Sequence, residues 1–287
     1  MGGRHRLVER AETARTGRSW GVAAMSHERR ITQIPASAQP SSFRIEPLIE
    51  ATFIPQRYEP NYAYPLLALL HQRGGDEDQM MRSMPGMSWR NYVGVSLRGP
   101  DAIHKRGRVI GHSWGPDFAR ADRMVPHSLS VSPGEAVRRR LNDQPCDPVD
   151  ALEDKIFHSI RRTMRALHVH SERIFLVGCG EGAAVAYRLG LTYPEKFAGV
   201  VAMNGWIPGG FRPLGRLKET RDLKILIVHG EWNGRAPVEQ ARRDVNVLRA
   251  GGLQVAFQAY PCGHRLTSPM LADVDTWLMN QCSTQPC

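Results

Sequence analysis

Two kinds of hydrophobic pattern alternate along residues 43–280. Short continuous apolar runs indicate buried strands, whereas apolar residues at every third or fourth position indicate helices that bury one face. The predicted strands cover residues 43–55, 63–72, 92–100, 173–178, 197–203, 223–229 and 253–259. The predicted helices cover residues 147–167, 181–193, 236–250 and 266–280.

The order of these elements predicts the fold class. Strands that alternate with helices favour an α/β fold with a mostly parallel central sheet and helices on both faces. Asp147 and Pro148 mark the start of the first long helix, because aspartate is a common N-cap and proline suits the first helical position. Residues 104–146 show no sustained pattern, and we expect them to form loops that lie over the sheet as a partial lid.

The N-terminal segment differs from the rest of the chain. Residues 1–40 are polar and lack periodicity, which predicts a disordered basic tail before a single domain at residues 41–287. Residues 1–30 carry seven arginines against three glutamates, within a net charge of +10 for the whole chain. We see no RNA- or DNA-binding motif, so we interpret the charge as solvated surface and expect no nucleic-acid partner. Met25 is an alternative start, and the sequence does not decide whether residues 1–24 belong to the natural protein.

Composition disfavours membrane-spanning, secreted, disulfide-linked and zinc-binding classes of protein. The chain has no apolar run of about 18 residues and no secretory signal, so we predict no membrane span and a cytoplasmic location. The number of cysteines is odd and no CxxC spacing occurs, which disfavours a disulfide framework and a zinc site. His168 and His170 are interpreted as solvated histidines that close a helix. We therefore expect no metal and no cofactor. The cysteines are Cys146, Cys179, Cys262, Cys282 and Cys287.

Chemically informative residues gather where predicted strands end. In parallel sheets, functional groups collect at this edge. Residues 173–190, RIFLVGCGEGAAVAYRLG, read as a strand, a tight glycine turn and a helix. The other three loops are HQRGGDE at 71–77, HGEWNGRAP at 229–237 and YPCGH at 260–264.

Four stretches carry a resemblance to a known family. They are LLALLHQRGGDED, RIFLVGCGEGAAVAYRLGLTYPEKFAGVVAMNGWIP, ILIVHGEWNGRAPVEQAR and YPCGHRL, in that order along residues 45–280. Their order matches that of the triad loops in α/β-hydrolases. The chain resembles the phospholipase/carboxylesterase family, whose relatives include acyl-protein thioesterases and dienelactone hydrolase. The resemblance implies an α/β-hydrolase fold.

The resemblance also implies which positions carry catalysis, and two of them are changed. The nucleophile of the G-x-S-x-G motif falls on Gly180, and the triad acid falls on Asn233. The general base falls on His264, which is kept. Loss of a serine nucleophile lowers turnover by a factor of about 10⁶, so we expect ordinary acyl-enzyme catalysis to be negligible.

The resemblance assigns the oxyanion donors to backbone groups. They are the N–H groups of Glu181 and Arg73, and backbone donors survive a change of side chain. Gln72 stands where the family usually has glycine, so the shape of this loop is a further difference.

Three other routes to hydrolysis stay open. Ser113 lies in GHSWG, which formally matches G-x-S-x-G, although no apolar strand precedes it and Pro116 follows closely; a cleft-lining or structural role is the competing interpretation. Cys179 precedes the turn apex, where side chains normally point into the supporting structure. His264 is also able to activate water directly, with Glu181 or Glu231 as the carboxylate.

The sequence therefore predicts a degenerate esterase that retains a ligand cleft. Its expected partner is a small acyl-ester-like ligand or an unidentified protein, and the pattern predicts no particular oligomeric state. The alternative is an active carboxylic-ester hydrolase with a non-standard nucleophile.

Overall fold

A computed structural model describes residues 47–119, 148–208 and 217–284. The strands are β1 (Glu50–Phe53), β2 (Tyr64–Leu70), β3 (Val93–Leu97), β4 (Asp101–Lys105), β5 (Arg108–Ser113), β6 (Val169–Cys179), β7 (Gly199–Met203), β8 (Lys224–Gly230) and β9 (Gln254–Tyr260). The helices are α1 (Glu77–Met81), α2 (Met84–Met87), α3 (Pro148–Ala166), α4 (Glu181–Thr192), α5 (Leu217–Thr220), α6 (Val238–Ala250) and α7 (Ser268–Thr284).

Seven of these strands form one sheet in the order β1-β3-β2-β6-β7-β8-β9. Strand β1 runs antiparallel to β3, and the other neighbouring strands pair in parallel. Strands β2, β3 and β7 are buried along their whole length, which explains their continuous apolar sequences. The predicted mostly parallel sheet is confirmed.

Each face of the sheet supports its own hydrophobic core. Along β2, Leu66, Ala68 and Leu70 belong to one core cluster, and Leu67 and Leu69 belong to the other. This alternation follows from the two-residue period of a strand. Helices α3, α4 and α6 pack on the first cluster, and α1, α2 and α7 pack on the second. The prediction of helices on both faces is confirmed.

Part of the segment predicted as loop forms strands. Residues 104–113 are not loop, because β4 and β5 form an antiparallel two-stranded hairpin. Most of their side chains are exposed or half-buried, so the hairpin lacks the apolar signal of a core strand. Residues 120–147 lie outside the described residues.

Other boundaries also differ from the prediction. Strand β6 begins at Val169, so His170 lies in a strand instead of closing a helix. Within the described part of the predicted strand at residues 43–55, the first strand covers Glu50–Phe53. The short helices α1, α2 and α5 were not predicted, because helices of four or five residues carry too few positions to show a period.

The described residues all lie within one compact unit, Ile45–Cys287. The predicted tail at residues 1–40 lies outside the described residues, so the tail and the domain boundary stay predictions. Every helix in the part of the chain that the structure describes is too short or too polar to cross a membrane.

Candidate active site

The glycine turn between β6 and α4 keeps the backbone shape of a nucleophile elbow. Gly180 is the N-cap of α4 and has φ 56° and ψ −116°, a conformation that residues with a Cβ rarely adopt. Its N–H donates to the carbonyl of Met203 at 2.8 Å, and its own carbonyl accepts from the Ala183 N–H at 3.1 Å. These bonds tie the apex to β7 and to the first turn of α4.

Close packing requires the two flanking glycines. A Cβ on Gly178 would lie 2.5 Å from the backbone nitrogen of Ala183. A Cβ on Gly182 would lie 2.6 Å from the carbonyl oxygen of His71. Neither distance is compatible with van der Waals contact, so helix, strand and neighbouring loop approach this closely only with glycine at both positions.

Two side chains converge on the apex. A Cβ on Gly180 would lie 3.1 Å from Cβ of Gln72 and 3.6 Å from Cε1 of His264. The structure therefore brings together the predicted nucleophile position and the predicted base, as the order of the loops implied.

The loop after β2 is held by hydrogen bonds from three directions. The Gly99 N–H donates to Nε2 of His71 at 2.8 Å, so Nδ1 of His71 carries the proton and donates to the Gln72 carbonyl at 2.7 Å. Nε1 of Trp114 donates to the His71 carbonyl at 2.8 Å. Trp114 is 2% exposed, and the tryptophan of GHSWG therefore supports the loop instead of offering a free surface.

Ser113 belongs to a polar cluster beside the apex, not to a second elbow. It ends β5, and its hydroxyl donates to Oε1 of Glu181 at 2.7 Å while accepting from Nη1 of Arg73 at 2.8 Å. Nη1 of Arg73 also lies 3.4 Å from Oε1 of Glu181. Ser113 and Glu181 are buried, and burial raises the pKa of Glu181 while Ser113 and Arg73 oppose this shift.

These contacts bear on two roles proposed from sequence. The single proton of the Ser113 hydroxyl is engaged by Glu181, and no described hydrogen bond joins Ser113 to His264. Arg73 and Glu181, the residues assigned as oxyanion donors, are neighbours in space. The Glu181 N–H is also among the first amides of α4, which have no acceptor within the helix. The oxyanion role itself stays a prediction.

The side chain of Asn233 makes its hydrogen bonds within its own loop. Its Oδ1 accepts from the N–H groups of Arg235 at 3.0 Å and Ala236 at 3.3 Å. Its Nδ2 lies 3.5 Å from Nε2 of His229, and that nitrogen in turn donates to the Ala236 carbonyl at 2.8 Å. Within the described residues, no hydrogen bond links Asn233 to His264. The amide supports the turn and not the predicted base.

His264 lies at the cleft without a side-chain partner. Within the described residues, neither ring nitrogen makes a hydrogen bond. Burial lowers the pKa of His264 to about 4, and the charges of Arg235 and His229 add to this shift. The imidazole is therefore neutral near pH 7, and nothing described selects one of its two tautomers.

No described hydrogen bond joins the other sequence candidates to the His264 side chain. Cys179 is 3% exposed and belongs to the second core cluster, where burial raises the pKa of its thiol to about 12. A buried thiol in this state is a poor nucleophile.

The Glu231 side chain is exposed, and no described hydrogen bond joins it to His264. The ring nitrogens of His168 and His170 contact backbone groups of Pro60 and Glu172. No group of three or more potential metal ligands occurs among the described residues.

Sequence reasoning missed Asn204. Its Nδ2 donates to the His264 carbonyl at 3.1 Å, and its Oδ1 accepts from the Gly230 N–H at 2.8 Å. It therefore joins the histidine loop to the end of β8, and its φ of 55° is unusual for a residue with a side chain. The available signal was a polar residue directly after the buried strand β7.

A cavity of about 410 Å³ lies beside the polar cluster. Arg73 and Ser113 form one side of it, and the hairpin residues Asp101, Ala102 and Ile103 form another. The lining thus combines the charged residues Arg73 and Asp101 with the apolar residues Ala102 and Ile103.

Comparisons with known proteins agree on one family. The family model described as Phospholipase/Carboxylesterase matches residues 143–282. Acyl-protein thioesterase 1 of Gibberella zeae is 28% identical over 134 residues, which cover 45% of this chain and 57% of that protein. Carboxylesterase SOBER1 of Arabidopsis thaliana is 26% identical over 137 residues, covering 47% of this chain and 60% of that protein. These matches span less than two thirds of either relative.

A further relative carries a different description. A protein of Oryza sativa subsp. japonica, described as a probable inactive carboxylesterase, is 22% identical over 152 residues, which cover 48% of this chain and 60% of that protein.

Solved structures agree on the fold. A Bacillus cereus carboxylesterase superposes with a TM-score of 0.57 at 15% identity, covering 82% of this chain and 94% of that one. Arabidopsis thaliana SOBER1 gives a TM-score of 0.56 at 18% identity, covering 77% and 100%. At these identities the likeness shows the α/β-hydrolase fold alone.

Proposed function

Because the chain belongs to the phospholipase/carboxylesterase family of α/β-hydrolases, we propose that it is a degenerate esterase. In this proposal the protein binds a small acyl-ester-like ligand in the inherited cleft and does not form an acyl-enzyme. An unidentified protein that presents such a group is the alternative occupant, and a cytoplasmic location is part of the same proposal.

The observation that carries the proposal is the geometry of Gly180. Its backbone angles are those of a strained turn apex, yet the apex bears no side chain. Strain of this kind costs about 1–3 kcal/mol in residues with a Cβ and is retained at sites where function requires it. With glycine the strain disappears and so does the nucleophile, which is worth a factor of about 10⁶ in turnover in a serine hydrolase.

The state of His264 supports the same proposal. A triad histidine needs an acceptor on one nitrogen that fixes its tautomer, and replacing that acceptor by an amide costs a factor of about 10⁴. Here the Asn233 oxygen is occupied by two backbone N–H groups, and both nitrogens of His264 lack a partner within the described residues. Even a restored serine would therefore face a poorly oriented base.

A cavity beside the polar cluster supports retained binding. Its volume of about 410 Å³ falls in the range of roughly 300–1,000 Å³ that small-molecule sites occupy. Its lining includes Arg73 and Ser113, which are joined to each other and to Glu181 next to the apex. Arg73 supplies a half-exposed cation at its wall, and Ile103 contributes an apolar surface. A short ester combines a polar carbonyl with a small apolar group and suits such a lining.

The proposal is tested by turnover of p-nitrophenyl acetate and p-nitrophenyl butyrate. We expect hydrolysis no faster than that of His264→Ala, because no acyl-enzyme route is available. The Ser113→Ala and Cys179→Ala variants are the matched controls for the other two nucleophiles. Turnover that is lost in any one of these variants, while the variant stays folded, contradicts the proposal.

A second candidate function is direct hydrolysis by water. The observation in its favour is that His264 is neutral near pH 7 and has two unpartnered nitrogens next to the apex that lacks a side chain. Such a histidine is able to take a proton from water as a general base. This candidate predicts turnover that disappears in His264→Ala and persists in Ser113→Ala and Cys179→Ala.

A further inference from the structure

The space that a nucleophile side chain would occupy is already restricted by Gln72. A Cβ on Gly180 would lie 3.1 Å from Cβ of Gln72, which is shorter than the 3.4 Å at which ordinary van der Waals contact begins. It would lie 3.6 Å from Cα of Gln72. The close approach involves Cβ of Gln72 and not the end of its flexible side chain. A change of rotamer at Gln72 therefore leaves the short distance unchanged.

The backbone of Gln72 is fixed in this position. Its carbonyl accepts from Nδ1 of His71 at 2.7 Å and from the Gly75 N–H at 2.9 Å. His71 is itself buried and bonded to Gly99 and Trp114. Moving Gln72 away from the apex would disturb these buried hydrogen bonds, each of which contributes to stability.

The side chain of Gln72 has no described role that would explain its presence. Its Oε1 is buried and makes no hydrogen bond within the described residues. A buried amide oxygen without a donor is unfavourable. Within the described residues, the Oε1 atom of Gln72 thus has no hydrogen-bond donor, and its Cβ lies close to the apex.

We propose that Gln72 and Gly180 are a coupled pair, in which the Cβ of Gln72 crowds any side chain at the elbow apex. This inference rests on the proposed loss of the acyl-enzyme route and adds a third block to it, after the missing serine and the altered acid. A restored nucleophile therefore reacts more slowly unless the Cβ at position 72 is also removed.

A double-mutant cycle tests the coupling without relying on activity. Gly180→Ala adds only a Cβ, and its backbone strain is the same in every background and cancels in the comparison. The urea midpoint is measured for this change in three backgrounds: the natural Gln72, Gln72→Ala, which keeps Cβ, and Gln72→Gly, which removes it. Gly180→Ala is expected to lower the urea midpoint in all three backgrounds. We expect this loss to be about 0.5 M smaller in the Gln72→Gly background than in the other two, a value that follows from usual overpacking costs and m-values.

Two results of the cycle overturn the inference. One is an equal loss in all three backgrounds, which means that position 180 does not sense Gln72. The other is relief in Gln72→Ala equal to that in Gln72→Gly, which assigns the effect to the amide tip and not to Cβ.

Covalent labelling by a fluorophosphonate probe gives a chemical readout. In the Gly180→Ser and Asn233→Asp double variant, we expect labelling about tenfold faster with Gln72→Gly than with Gln72→Ala, because overpacking of roughly 1.4 kcal/mol corresponds to this factor. Equal rates, or no labelling in either, contradict the inference. Labelling of the natural protein on a serine would instead overturn the proposed function, and the cycle would still decide the coupling.

Discussion

The glycine turn at Gly180 (the elbow) and the loop at residues 229–237 that carries Asn233 (the acid loop) lie at the same edge of the sheet. They differ in how far the geometry expected of a catalytic triad is present. Around Gly180, the turn keeps its angles, its hydrogen bonds to β7 and α4, and its two flanking glycines. In the loop after β8, the side chain at the acid position bonds to its own turn, and within the described residues it makes no hydrogen bond to His264. The backbone of the site therefore keeps its geometry, whereas the side chains that would carry out the reaction are changed.

The difference has a physical cause. The elbow is made of backbone that packs against β2 and β7, so changing its shape would disturb the core. Catalysis at both positions depends on single side chains, and the backbone of both loops stays ordered with glycine at position 180 and asparagine at position 233. Glycine at a strained apex is even favourable, since it adopts positive φ freely. A fold of this type is therefore able to persist without the reaction.

The largest expected effect tests the packing of the elbow. Gly182→Ala places a Cβ 2.6 Å from the His71 carbonyl oxygen, and we expect it to lower the free energy of unfolding by about 3 kcal/mol or more. Gly234→Ala in the acid loop is the matched control, because nothing lies within 4 Å of its added Cβ. Urea unfolding of both variants measures the difference. Similar losses in the two variants would show that the two regions do not differ in packing.

A smaller effect tests the acid loop. Asn233→Ala removes the acceptor of two N–H groups, and we expect a loss of about 1–2 kcal/mol in the free energy of unfolding. Asn233→Asp keeps the acceptor oxygen and is expected to lose less. If Asn233→Ala is as stable as the natural protein, the side chain does not hold this loop.

A separate effect concerns pH. The pKa of His264 is about 4 in the folded protein and near 6.5 in an unfolded chain, so the unfolded state binds the proton more strongly. The free energy of unfolding therefore falls as the pH drops from about 6.5 to about 4. We expect His264→Gln to reduce this fall, while His71 and His229, whose pKa values burial also lowers, keep part of it.

Urea midpoints at pH 7 and pH 5 measure this contribution for the natural protein and for His264→Gln. Identical decreases in the two proteins would show that His264 is not desolvated in the cleft.

Much of the fold was predictable because it rests on local pattern. The apolar runs located the strands of the central sheet, and the periodic segments located the long helices. The β4–β5 hairpin was not predictable in this way, because most of its side chains are exposed or half-buried and carry no core signal. The start of β6 was also missed, since four of its first five residues, VHSER, are polar and all five are half-buried or exposed.

The order of the loops along the chain predicted which of them meet at the site, but it did not predict the contacts between their side chains. The order of the loops brought Gly180 and His264 together, and the structure places them side by side. Contacts between distant segments were invisible, such as Ser113 with Glu181, which are 68 positions apart. The approach of Gln72 to the apex and the role of Asn204 likewise depend on how separate loops pack.

The most direct test of the central claim is the mass of the intact protein after incubation with p-nitrophenyl butyrate, quenched in acid at short times. An elbow without a nucleophile predicts that the mass stays that of the free protein while any released p-nitrophenolate remains below one equivalent of protein. A butyryl adduct that forms within the first turnover and maps to the cleft would contradict the account.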